Sequence, residues 1–305
     1  MEVLDGRPAA RALRERARAE MERYVRGYSH IPQIALVIVG DDPAAHSYCN
    51  AIKRAARLIE MPVVEHALPA TTDQKAVNTL IAELNEDDDV SGVLVLQPLP
   101  PHLDRHAIAD LLDPLKDIDG ITTWNAGRLF HDDRDVLAPS TPAGGMALLK
   151  HYQIPINGRH AVIVGRSSIV GKPMAAMLLA ENATVTTCHS RSRDLPSFTR
   201  QGDIVVIAVG RRGLVTADWI KPGAVVIDFG VNVGPDGIAG DVDAESVATV
   251  AGALTPVPNG TGRVTTAVLL RNTVKAATMQ QRRRAAPGTA RDVIEEGDSN
   301  DADGY

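Results

Sequence analysis

Short apolar runs alternate with amphipathic segments along the first half of the chain. Residues 32–40, PQIALVIVG, form an apolar run that ends in glycine. An amphipathic stretch around Tyr48 follows, and then VVEHALP, a helical pattern near 73–86 and the apolar run SGVLVLQPLP at 91–100. Strands that alternate with helices in this way are typical of a parallel sheet, so the pattern predicts an α/β domain.

The alternation begins again after residue 139. Apolar, β-rich runs lie at residues 160–165, 183–190, 203–210 and 224–230, and the helical segment KPMAAMLLAEN separates the first two. This spacing is that of a doubly wound unit, in which helices on both faces of the sheet join parallel strands. We therefore predict a second α/β domain with a Rossmann-type, doubly wound parallel sheet.

The domain boundaries follow from these two units. The second domain is predicted at 139–263. The first is predicted at 1–138 together with 264–284, because the helical pattern after residue 263 is expected to pack back on the first domain. Residues 285–305 are rich in alanine, proline, glycine and acids, a composition that predicts a mobile tail.

The composition favours small molecules as partners over nucleic acid or membranes. The 305-residue chain has a net charge of −6, which leaves no basic excess to neutralise phosphates. Its opening segment alternates charged and apolar residues, so no signal peptide or membrane anchor is expected. Cys49 and Cys188 lack CxxC spacing, and His46 and His189 have no ligand partner at useful spacing. We expect no metal site, no disulfide framework and a cytoplasmic location.

A glycine-rich segment joins a predicted strand to the first helix of the doubly wound unit. In VIVGRSSIVGKP, residues 162–173, Gly165 and Gly171 allow the backbone to approach a ligand, and Pro173 suits a first helical turn. The free N–H groups of a helix start suit a pyrophosphate. The segment is not a P-loop and lacks the strict GxGxxG pattern, so by itself it leaves dinucleotide binding and a merely tight turn as alternatives.

The strand after this loop favours NADP over NAD. An NAD site places a carboxylate on the ribose roughly 20 residues further along the chain. This chain instead has CHSRSR, with Ser190, Arg191 and Arg193. Basic and hydroxyl side chains accept a 2′-phosphate, which indicates NADP. The alternative is that these are ordinary solvated loop residues.

The segment SYCNAIKRAAR, residues 47–57, combines a tyrosine and a lysine on one predicted helix. A helix turns by about 100° per residue. Tyr48 and Ile52 therefore share one face, and Lys53 is rotated away from it. The helical pattern predicts that the ammonium group of Lys53 points away from the tyrosine face.

With these residues in place, the chain resembles the methylenetetrahydrofolate dehydrogenase/cyclohydrolase family over roughly residues 3–280. The resemblance implies two α/β domains around a cleft, a folate in the first domain, NADP or sometimes NAD in the second, and usually a homodimer. The matching stretches are LDGRPAA, VGDDPAAHSY, PLKDIDGITTWNAGRL, PSTPAGG, VIVGRSSIVGKP, ATVTTCHSRS, GDIVVIAVG, VVIDFGVN, GDVD and TPVPNGTGRVTTAVLLRNT.

The resemblance also implies roles for individual residues. Asp119, the second Asp of KDIDG, would hydrogen-bond the pterin and Tyr48 would pack on it, which makes both catalytic candidates. Without the resemblance, Asp119 would be interpreted as a turn residue and Tyr48 as a packing residue. Arg166, Ser167 and Ser190 would hold the 2′-phosphate region. The predicted substrate site comprises Tyr48, Ile52, Leu96, Gln97, Asp119, Pro258, Asn259, Gly262 and Arg263, and the predicted cofactor site comprises Thr141, Gly165, Arg166, Ser167, Ser168, Ile169, Gly171, Ser190, Arg191, Val209, Gly210, Val231 and Thr265.

The chain departs from the family pattern where the catalytic lysine and its supporting glutamine are expected. The family lysine follows the tyrosine by four residues, and Ile52 stands there in this chain. The family sequence VQLPLP is replaced by VLQPLP, which puts Leu96 at the glutamine position. Lys53 and Gln97 are each one residue off, a shift that turns a side chain to another face. Only a local slip with a compensating bulge would bring them back.

A third departure lies near the end of the matching region. The family sequence PGGVGPMT appears as PNGTGRVT at 258–265, which puts Asn259 and Arg263 beside the expected cleft. The three departures together indicate a rebuilt substrate pocket.

These departures bear on two reactions differently. Hydride transfer to nicotinamide requires mainly orientation and electrostatics, whereas water attack on the methenyl product requires a side chain that moves a proton. We therefore expect NADP-dependent oxidation of 5,10-methylenetetrahydrofolate, with the cyclohydrolase activity weakened or lost. The alternatives are a fully bifunctional enzyme that uses Lys53 or Arg263, a paralogue with a different, less polar substrate, and a non-catalytic nucleotide-binding regulator.

Overall fold

The protein is described from a computed structural model that covers residues 1–133, 135–235 and 237–285. Of the predicted tail, only Ala285 is among the described residues, and it is the last residue of a C-terminal helix. The rest of the predicted tail, residues 286–305, lies outside the described residues.

Three parallel strands form the first sheet, namely β2 (Gln33–Val39), β3 (Val63–Leu68) and β4 (Val90–Val95), with β2 between the other two. Every residue of β4 and six of the seven in β2 are buried. Strands that are covered on both faces read as continuous apolar runs, which is why the sequence identified them. The helices of this part are α1 (Gly6–Tyr28), α2 (Pro43–Arg57), α3 (Gln74–Glu86), α4 (Arg105–Leu111) and α5 (Thr123–Phe130).

The second sheet has six parallel strands. They are β1 (Glu2–Val3), β5 (His160–Val164), β6 (Thr184–Cys188), β7 (Ile204–Ile207), β8 (Val225–Asp228) and β11 (Ala253–Leu254), in the spatial order β1-β11-β8-β7-β5-β6. A separate antiparallel hairpin consists of β9 (Asn232–Gly234) and β10 (Gly237–Ala239). The helices are α6 (Ser140–His151), α7 (Gly171–Ala180), α8 (Leu195–Thr199), α9 (Ala244–Val247) and α10 (Thr261–Ala285), with a 3₁₀ turn at Ala217–Trp219.

The strand order of the second sheet creates a crevice next to β5. The chain passes from β5 to β6 on one side and later adds β7 on the other side. In a doubly wound sheet, ligands bind outside the carboxyl ends of the strands where the order reverses in this way. The glycine-rich segment directly follows β5 and therefore lies at this position. The α/β class with two parallel sheets, the second doubly wound, is confirmed.

The long helix α10 connects the two parts of the molecule. It packs along α1 and α6 and against β4 of the first sheet. The buried amides of Asn272 and Gln280 donate hydrogen bonds to main-chain carbonyls of residues that precede α6. β1 lies in the second sheet, although the predicted boundaries assign residues 1–138 to the first domain.

Candidate active site

Helix α2 fixes the directions of Tyr48, Ile52 and Lys53. The side chain of Asp42 caps its start by accepting two backbone N–H bonds, each 2.9 Å long. The helix then runs to Arg57 without interruption. Because there is no local slip, a residue four positions after Tyr48 lies near its face and a residue five positions after it does not.

Tyr48, Asp119 and Ser140 meet at the end of the first sheet. The hydroxyl of Ser140, the first residue of α6, donates a hydrogen bond to Oδ1 of Asp119. The phenol of Tyr48 lies near the Ser140 hydroxyl and the Asp119 carboxylate, and both groups affect its pKa. Asp117, two residues before Asp119, bridges to Val93 on β4, which holds this turn beside the sheet. The arrangement presents a carboxylate next to an aromatic ring.

Burial sets the protonation of this cluster. It raises the pKa of Asp119 to about 7, an effect that the hydrogen bond from Ser140 opposes and the charge of Asp117 reinforces. Burial also raises the pKa of Tyr48, and the nearby Asp119 charge adds to that increase. Asp119 is thus the group in this cluster that changes charge near neutral pH, while the phenol stays protonated.

The floor beneath the cluster is apolar. Ile52 and Leu96 are 0% and 2% exposed and belong to one hydrophobic cluster with Leu94 and Ile118, against which Tyr48 packs. Neither side chain carries a hydrogen-bond donor, a hydrogen-bond acceptor or a titratable proton. The two positions where the family has lysine and glutamine therefore support the site from below and offer it no polar group.

Lys53 points towards β3, which forms the edge of the first sheet that lies away from the Asp119 turn. Its ammonium group pairs with the carboxylate of Glu65 on β3, and the thiol of Cys49 approaches the same carboxylate at 3.4 Å. The hydrogen bond to Glu65 raises the pKa of Lys53. β3 and β4 flank β2 on different sides, and the Asp119 turn lies beside β4. Lys53 is therefore held away from the cluster, as its helical position predicts.

Gln97 does not replace the missing polar group either. It directly follows Leu96 beyond the end of β4, and its side chain is exposed. The backbone N–H of Leu96 still bonds the carbonyl of Val37 on β2 at 2.9 Å, so the strand register continues through this residue. The pairing of β2 with β4 shifts register only at its start, where Gln33 pairs with Val90 and Ile34 with Gly92. From Gly92 onward the register is regular, and it leaves Leu96 buried and Gln97 exposed.

The loop before α10 brings Asn259 and Arg263 together. Asn259 adopts a left-handed conformation with φ of 80°, and its carbonyl accepts a 2.7 Å bond from the N–H of Gly6. Nε of Arg263 donates to Oδ1 of Asn259 at 3.3 Å. Pro258, Gly262 and Arg263 are exposed. Hydrogen bonds with Arg7 lower the pKa of Asp5, and the nearby charge of Arg263 adds slightly to that decrease.

The glycine-rich loop after β5 has no room for side chains at its two glycines. A Cβ atom on Gly165, where φ is 138°, would lie 2.3 Å from the carbonyl oxygen of Ala208. One on Gly171 would lie 2.2 Å from the carbonyl oxygen of Gly165. Oγ of Ser167 accepts N–H bonds from Val170 and Gly171 at 3.1 and 3.3 Å, so the loop closes on itself. The exposed residues of the loop are Arg166, Ser167, Ser168 and Ile169.

The neighbouring loops complete a basic, hydroxyl-rich rim. Ser190, Arg191 and Arg193 follow β6 and are exposed. An acidic residue that would repel a 2′-phosphate is absent from CHSRSR. The side-chain chemistry of the rim therefore suits a phosphorylated ribose.

Asp241 organises the loop after β7. Its carboxylate accepts N–H bonds from Val209, Gly210 and Arg211 at 2.7, 2.9 and 2.7 Å. Val209 and Gly210 are predicted cofactor residues, and a buried acid holds their backbone in place. The sequence GDVD was noted as a family match, but nothing in its spacing indicated that Asp241 would reach 30 or more residues back along the chain.

The remaining predicted cofactor residues lie on α6, α10 and the β8–β9 connection. Thr265 packs against Gly144 on α6, because a Cβ atom on that glycine would lie 3.2 Å from the Thr265 nitrogen. Thr141 is partly exposed at the start of α6. Val231 is 65% exposed. The buried carboxylate of Asp228, with a pKa raised to about 6 by burial, accepts N–H bonds near this turn.

Two family models match the two parts of the chain separately. The model described as "Tetrahydrofolate dehydrogenase/cyclohydrolase, catalytic domain" matches residues 4–119, and "Tetrahydrofolate dehydrogenase/cyclohydrolase, NAD(P)-binding domain" matches residues 139–281. The chain belongs to this family. The predicted resemblance is thereby confirmed, and so is the prediction that the protein is an enzyme of this class.

Relatives of the tetrahydrofolate dehydrogenase/cyclohydrolase family match nearly the whole chain. "Bifunctional protein FolD" of Roseiflexus sp. (strain RS-1) is 48% identical over 279 residues, which are 91% of this chain and 96% of that protein. The crystal structure of the bifunctional FolD from Campylobacter jejuni has a TM-score of 0.88 at 38% identity and covers 92% of this chain and 99% of its own. The Trypanosoma brucei enzyme, solved with NADP cofactor and inhibitor, has a TM-score of 0.87 at 34% identity and covers 92% and 98%.

Sequence reasoning missed three polar residues that shape this family site. Ser140 was quoted only as part of PSTPAGG, although a hydroxyl in the first turn of a helix is a recognisable polar signal. Asp228 and Asp241 are buried acids, and each binds main-chain N–H groups of a neighbouring loop. Acids at the ends of apolar runs gave a weak signal, because their partners are distant in the sequence.

The described residues contain neither a metal-binding cluster nor a helix that could span a membrane. Among the residues that the structure describes, no three His, Cys, Asp or Glu side chains are grouped so as to hold a metal ion. Within the same part of the chain, none of the helices has the length and apolar character needed to cross a membrane.

Proposed function

We propose that this enzyme oxidises 5,10-methylenetetrahydrofolate to 5,10-methenyltetrahydrofolate with NADP, and that its cyclohydrolase activity is weakened or lost. The observation that carries the proposal is the buried Ile52–Leu96 pair beneath Tyr48 and Asp119. The family machinery that would transfer protons is missing from this floor, whereas the carboxylate and the aromatic ring above it are retained.

The substrate half suits the pterin end of a folate. Above its pKa of about 7, Asp119 is a carboxylate that accepts hydrogen bonds from N–H donors of a pterin. The ring of Tyr48 offers a flat apolar surface for packing, with its phenol held beside Ser140. Together they orient the one-carbon unit, and orientation is the main contribution that a protein makes to hydride transfer.

The cofactor half suits NADP. Gly165 and Gly171 let the loop after β5 turn tightly against neighbouring backbone. The N–H groups of Gly171 and Lys172 already bond Ser167, so a pyrophosphate would be held by the exposed part of the loop, residues 166–169. Arg166, Ser190 and Arg191 would hold the 2′-phosphate. When bound, NADP accepts the hydride that leaves the methylene carbon.

The two reactions differ in what they require of the protein. Loss of hydride from the methylene carbon leaves a methenyl cation that the adjacent folate nitrogens stabilise, and no side chain needs to move a proton. Hydrolysis adds water to the methenyl carbon, removes a proton from that water and breaks one carbon–nitrogen bond, whose nitrogen takes up a proton. Proton transfer by a positioned side chain typically contributes about 10²- to 10⁴-fold to the rate, or about 3–5 kcal/mol. Ile52 has no group for this step.

A second candidate function is the complete bifunctional reaction. The relatives from Roseiflexus and Campylobacter jejuni are named bifunctional proteins, and burial raises the pKa of Asp119 to about 7, where a proton-transfer group is most effective. Lys53 gives this alternative little support, because it is paired with Glu65.

We also propose that the enzyme is a cytoplasmic homodimer. The dimer rests on the family resemblance, and light scattering of the purified protein would test it by mass. The cytoplasmic location is supported by Cys49 and Cys188, which are both free thiols, as expected in a reducing compartment.

The test follows both products in one cuvette. Methylenetetrahydrofolate and NADP are supplied, and NADPH and the methenyl product are recorded together. A parallel reaction contains methenyltetrahydrofolate alone, with a protein-free control for spontaneous hydrolysis. We expect NADPH formation with methenyl accumulation and no enzymatic hydrolysis. Hydrolysis that is as fast as dehydrogenation would support the bifunctional alternative, and no NADPH from any folate would overturn the proposal.

A further inference from the structure

Two segments of main chain cross directly beneath the candidate site. One carries Asp119 and the other leads into Ser140, and they touch at Gly120, where φ is 65°. A Cβ atom on Gly120 would lie 2.5 Å from the carbonyl oxygen of Leu137 and 2.5 Å from the nitrogen of Pro139. The two main chains are therefore in direct contact, and a small shift of either one changes how Asp119 and Ser140 face each other.

Asn272 on α10 ties this crossing together. Its Nδ2 group donates one hydrogen bond to the carbonyl of Ile118 at 2.8 Å and another to the carbonyl of Ala138 at 3.0 Å. The side chain is only 8% exposed. Ile118 directly precedes Asp119, and Ala138 lies two residues before Ser140. One buried amide thus spans the two segments that supply the polar groups of the cluster.

We propose that Asn272 is a positioning residue of the active site. By holding the Ile118 and Ala138 carbonyls together, it sets the separation of the Asp119 carboxylate and the Ser140 hydroxyl, and so the direction in which Asp119 faces the folate. The part of this inference that concerns the folate rests on the proposed function. The effect on the Asp119 carboxyl itself does not require any ligand.

The surroundings of Asp119 make its alignment sensitive to this tie. Tyr48 faces it from α2, Ser140 faces it from α6, and Asp117 lies in its own turn. Asn272 adds no charge. When its amide is removed, two buried carbonyls lose their partner and recover hydrogen bonds only if water enters or the segments separate. Either change exposes Asp119 and loosens its bond with Ser140.

Gln280 provides a matched control on the same helix. Its Nε2 group also donates to two carbonyls, those of Ser91 at 2.8 Å and Leu115 at 3.0 Å, and its side chain is 5% exposed. It therefore joins α10 to the first part of the molecule in the same manner. It does not touch the crossing at Gly120, so its loss measures the general structural effect of removing a buried amide from α10.

The experiment compares Asn272→Leu with Gln280→Met, since both changes replace an amide by an apolar side chain of similar size. Asn272→Ala accompanies them, because its smaller side chain avoids the steric misfit that a branched leucine introduces. For Asn272→Leu we expect KM for methylenetetrahydrofolate to rise about tenfold or more, with KM for NADP within about twofold of wild type. For Gln280→Met we expect both KM values to stay near wild type at a comparable loss of thermal stability.

A ligand-free readout keeps this test separate from that of the proposed function. The carboxyl carbon of Asp119, assigned by its loss in Asp119→Asn, is titrated by ¹³C NMR in all variants. The wild-type midpoint is expected near 7. In Asn272→Leu and Asn272→Ala it is expected to fall by about one unit or more, because relief of burial, the largest cause of the raised pKa, outweighs the weaker Ser140 bond, and in Gln280→Met it is expected not to move.

Equal KM and equal Asp119 midpoints in the Asn272 and Gln280 variants would overturn the inference. A wild-type protein that turns over no folate would refute the proposed function instead, and the carboxyl titration would still decide the role of Asn272. A stability loss without either change would mean that Asn272 has only a structural role.

Discussion

The proposed cofactor half and the proposed substrate half of this site are built by different means. The proposed cofactor half depends on one continuous loop, in which Gly165 and Gly171 shape the backbone and Ser167 accepts the N–H groups of Val170 and Gly171. In the substrate half, Tyr48, Asp119 and Ser140 come from three separate segments and act through their side chains. The first kind of site can be recognised in a short stretch of sequence, and the second cannot.

The difference also determines how each half can change. A side chain at either glycine of the loop would collide with neighbouring backbone, so substitutions there change the shape of the loop. The floor of the substrate half consists of core residues, where Ile52 and Leu96 pack as well as any apolar side chain. A change of chemistry is therefore compatible with an unchanged fold at these two positions. Each of the following predictions separates the two halves, beginning with the largest effect.

Asp119→Asn removes the negative charge of the substrate half and keeps an oxygen that accepts the hydrogen bond from the Ser140 hydroxyl. We expect kcat/KM for methylenetetrahydrofolate to fall about 100-fold or more, because charge-assisted bonds to the pterin are lost, while the Kd for NADP changes less than about twofold. Steady-state kinetics and cofactor titration measure the two effects. Asp41→Asn, at an exposed acid, serves as the control and is expected to behave as wild type. Equal losses for both substrates would mean that the two halves are not independent.

Gly171→Ala disturbs only the cofactor half. The new Cβ atom would meet the Gly165 carbonyl oxygen at 2.2 Å, so the loop must open. We expect the Kd for NADP, measured by fluorescence titration, to rise about 30-fold, with folate binding retained. Gly127→Ala, where a Cβ atom meets nothing within 4 Å, is the matched control. Unchanged NADP affinity in Gly171→Ala would contradict the assigned loop.

Ser190→Asp tests the rim that selects the cofactor. A carboxylate at this exposed position repels a 2′-phosphate and accepts hydrogen bonds from an unphosphorylated ribose. We expect the ratio of kcat/KM for NADP over NAD to fall about tenfold, with KM for the folate unchanged. If the ratio stays constant, the loop after β6 does not contact the 2′ position.

The pH dependence of stability tests the substrate half without any ligand. Burial raises the pKa of Asp119 above its unfolded value, so the folded state loses stability as the pH rises from about 4 towards 7, and the loss is complete above that range. Asp119→Asn should therefore be nearly as stable as wild type at pH 4 and more stable than wild type at pH 8, by up to about 4 kcal/mol. Urea unfolding at the two pH values measures the difference. A variant that is less stable at pH 8 would show that the carboxylate is stabilising.

Sequence reasoning worked best where the evidence is local. The apolar or β-rich runs predicted the seven strands β2–β8, and the predicted helix near 73–86 corresponds to α3, whereas the short strands β1 and β11 and the β9–β10 hairpin were not predicted. Helical geometry alone predicted that Lys53 points away from the face shared by Tyr48 and Ile52, and the structure confirms this, since Ile52 is buried and Lys53 pairs with Glu65. These results depend on periodicity over a few residues.

The polar framework of the site was not accessible in this way. Ser140 bonds Asp119 across 21 residues, and Asn272 bonds Ile118 across 154. Such partners are set by how the two sheets and α10 pack, and a single sequence carries no periodic signal for them. The buried acids Asp228 and Asp241 were missed for the same reason.

The most direct test of the central claim is hydrolysis of methenyltetrahydrofolate by the double variant Ile52→Lys, Leu96→Gln. If loss of the lysine and glutamine weakens hydrolysis, the double variant should hydrolyse methenyltetrahydrofolate about 100-fold or more faster than wild type, since a proton-transferring group returns to the floor of the site. Dehydrogenase activity should stay within a few-fold of wild type, and Lys53→Met should leave both activities unchanged. No increase in the double variant, or a wild-type hydrolase activity that Lys53→Met abolishes, would contradict the account.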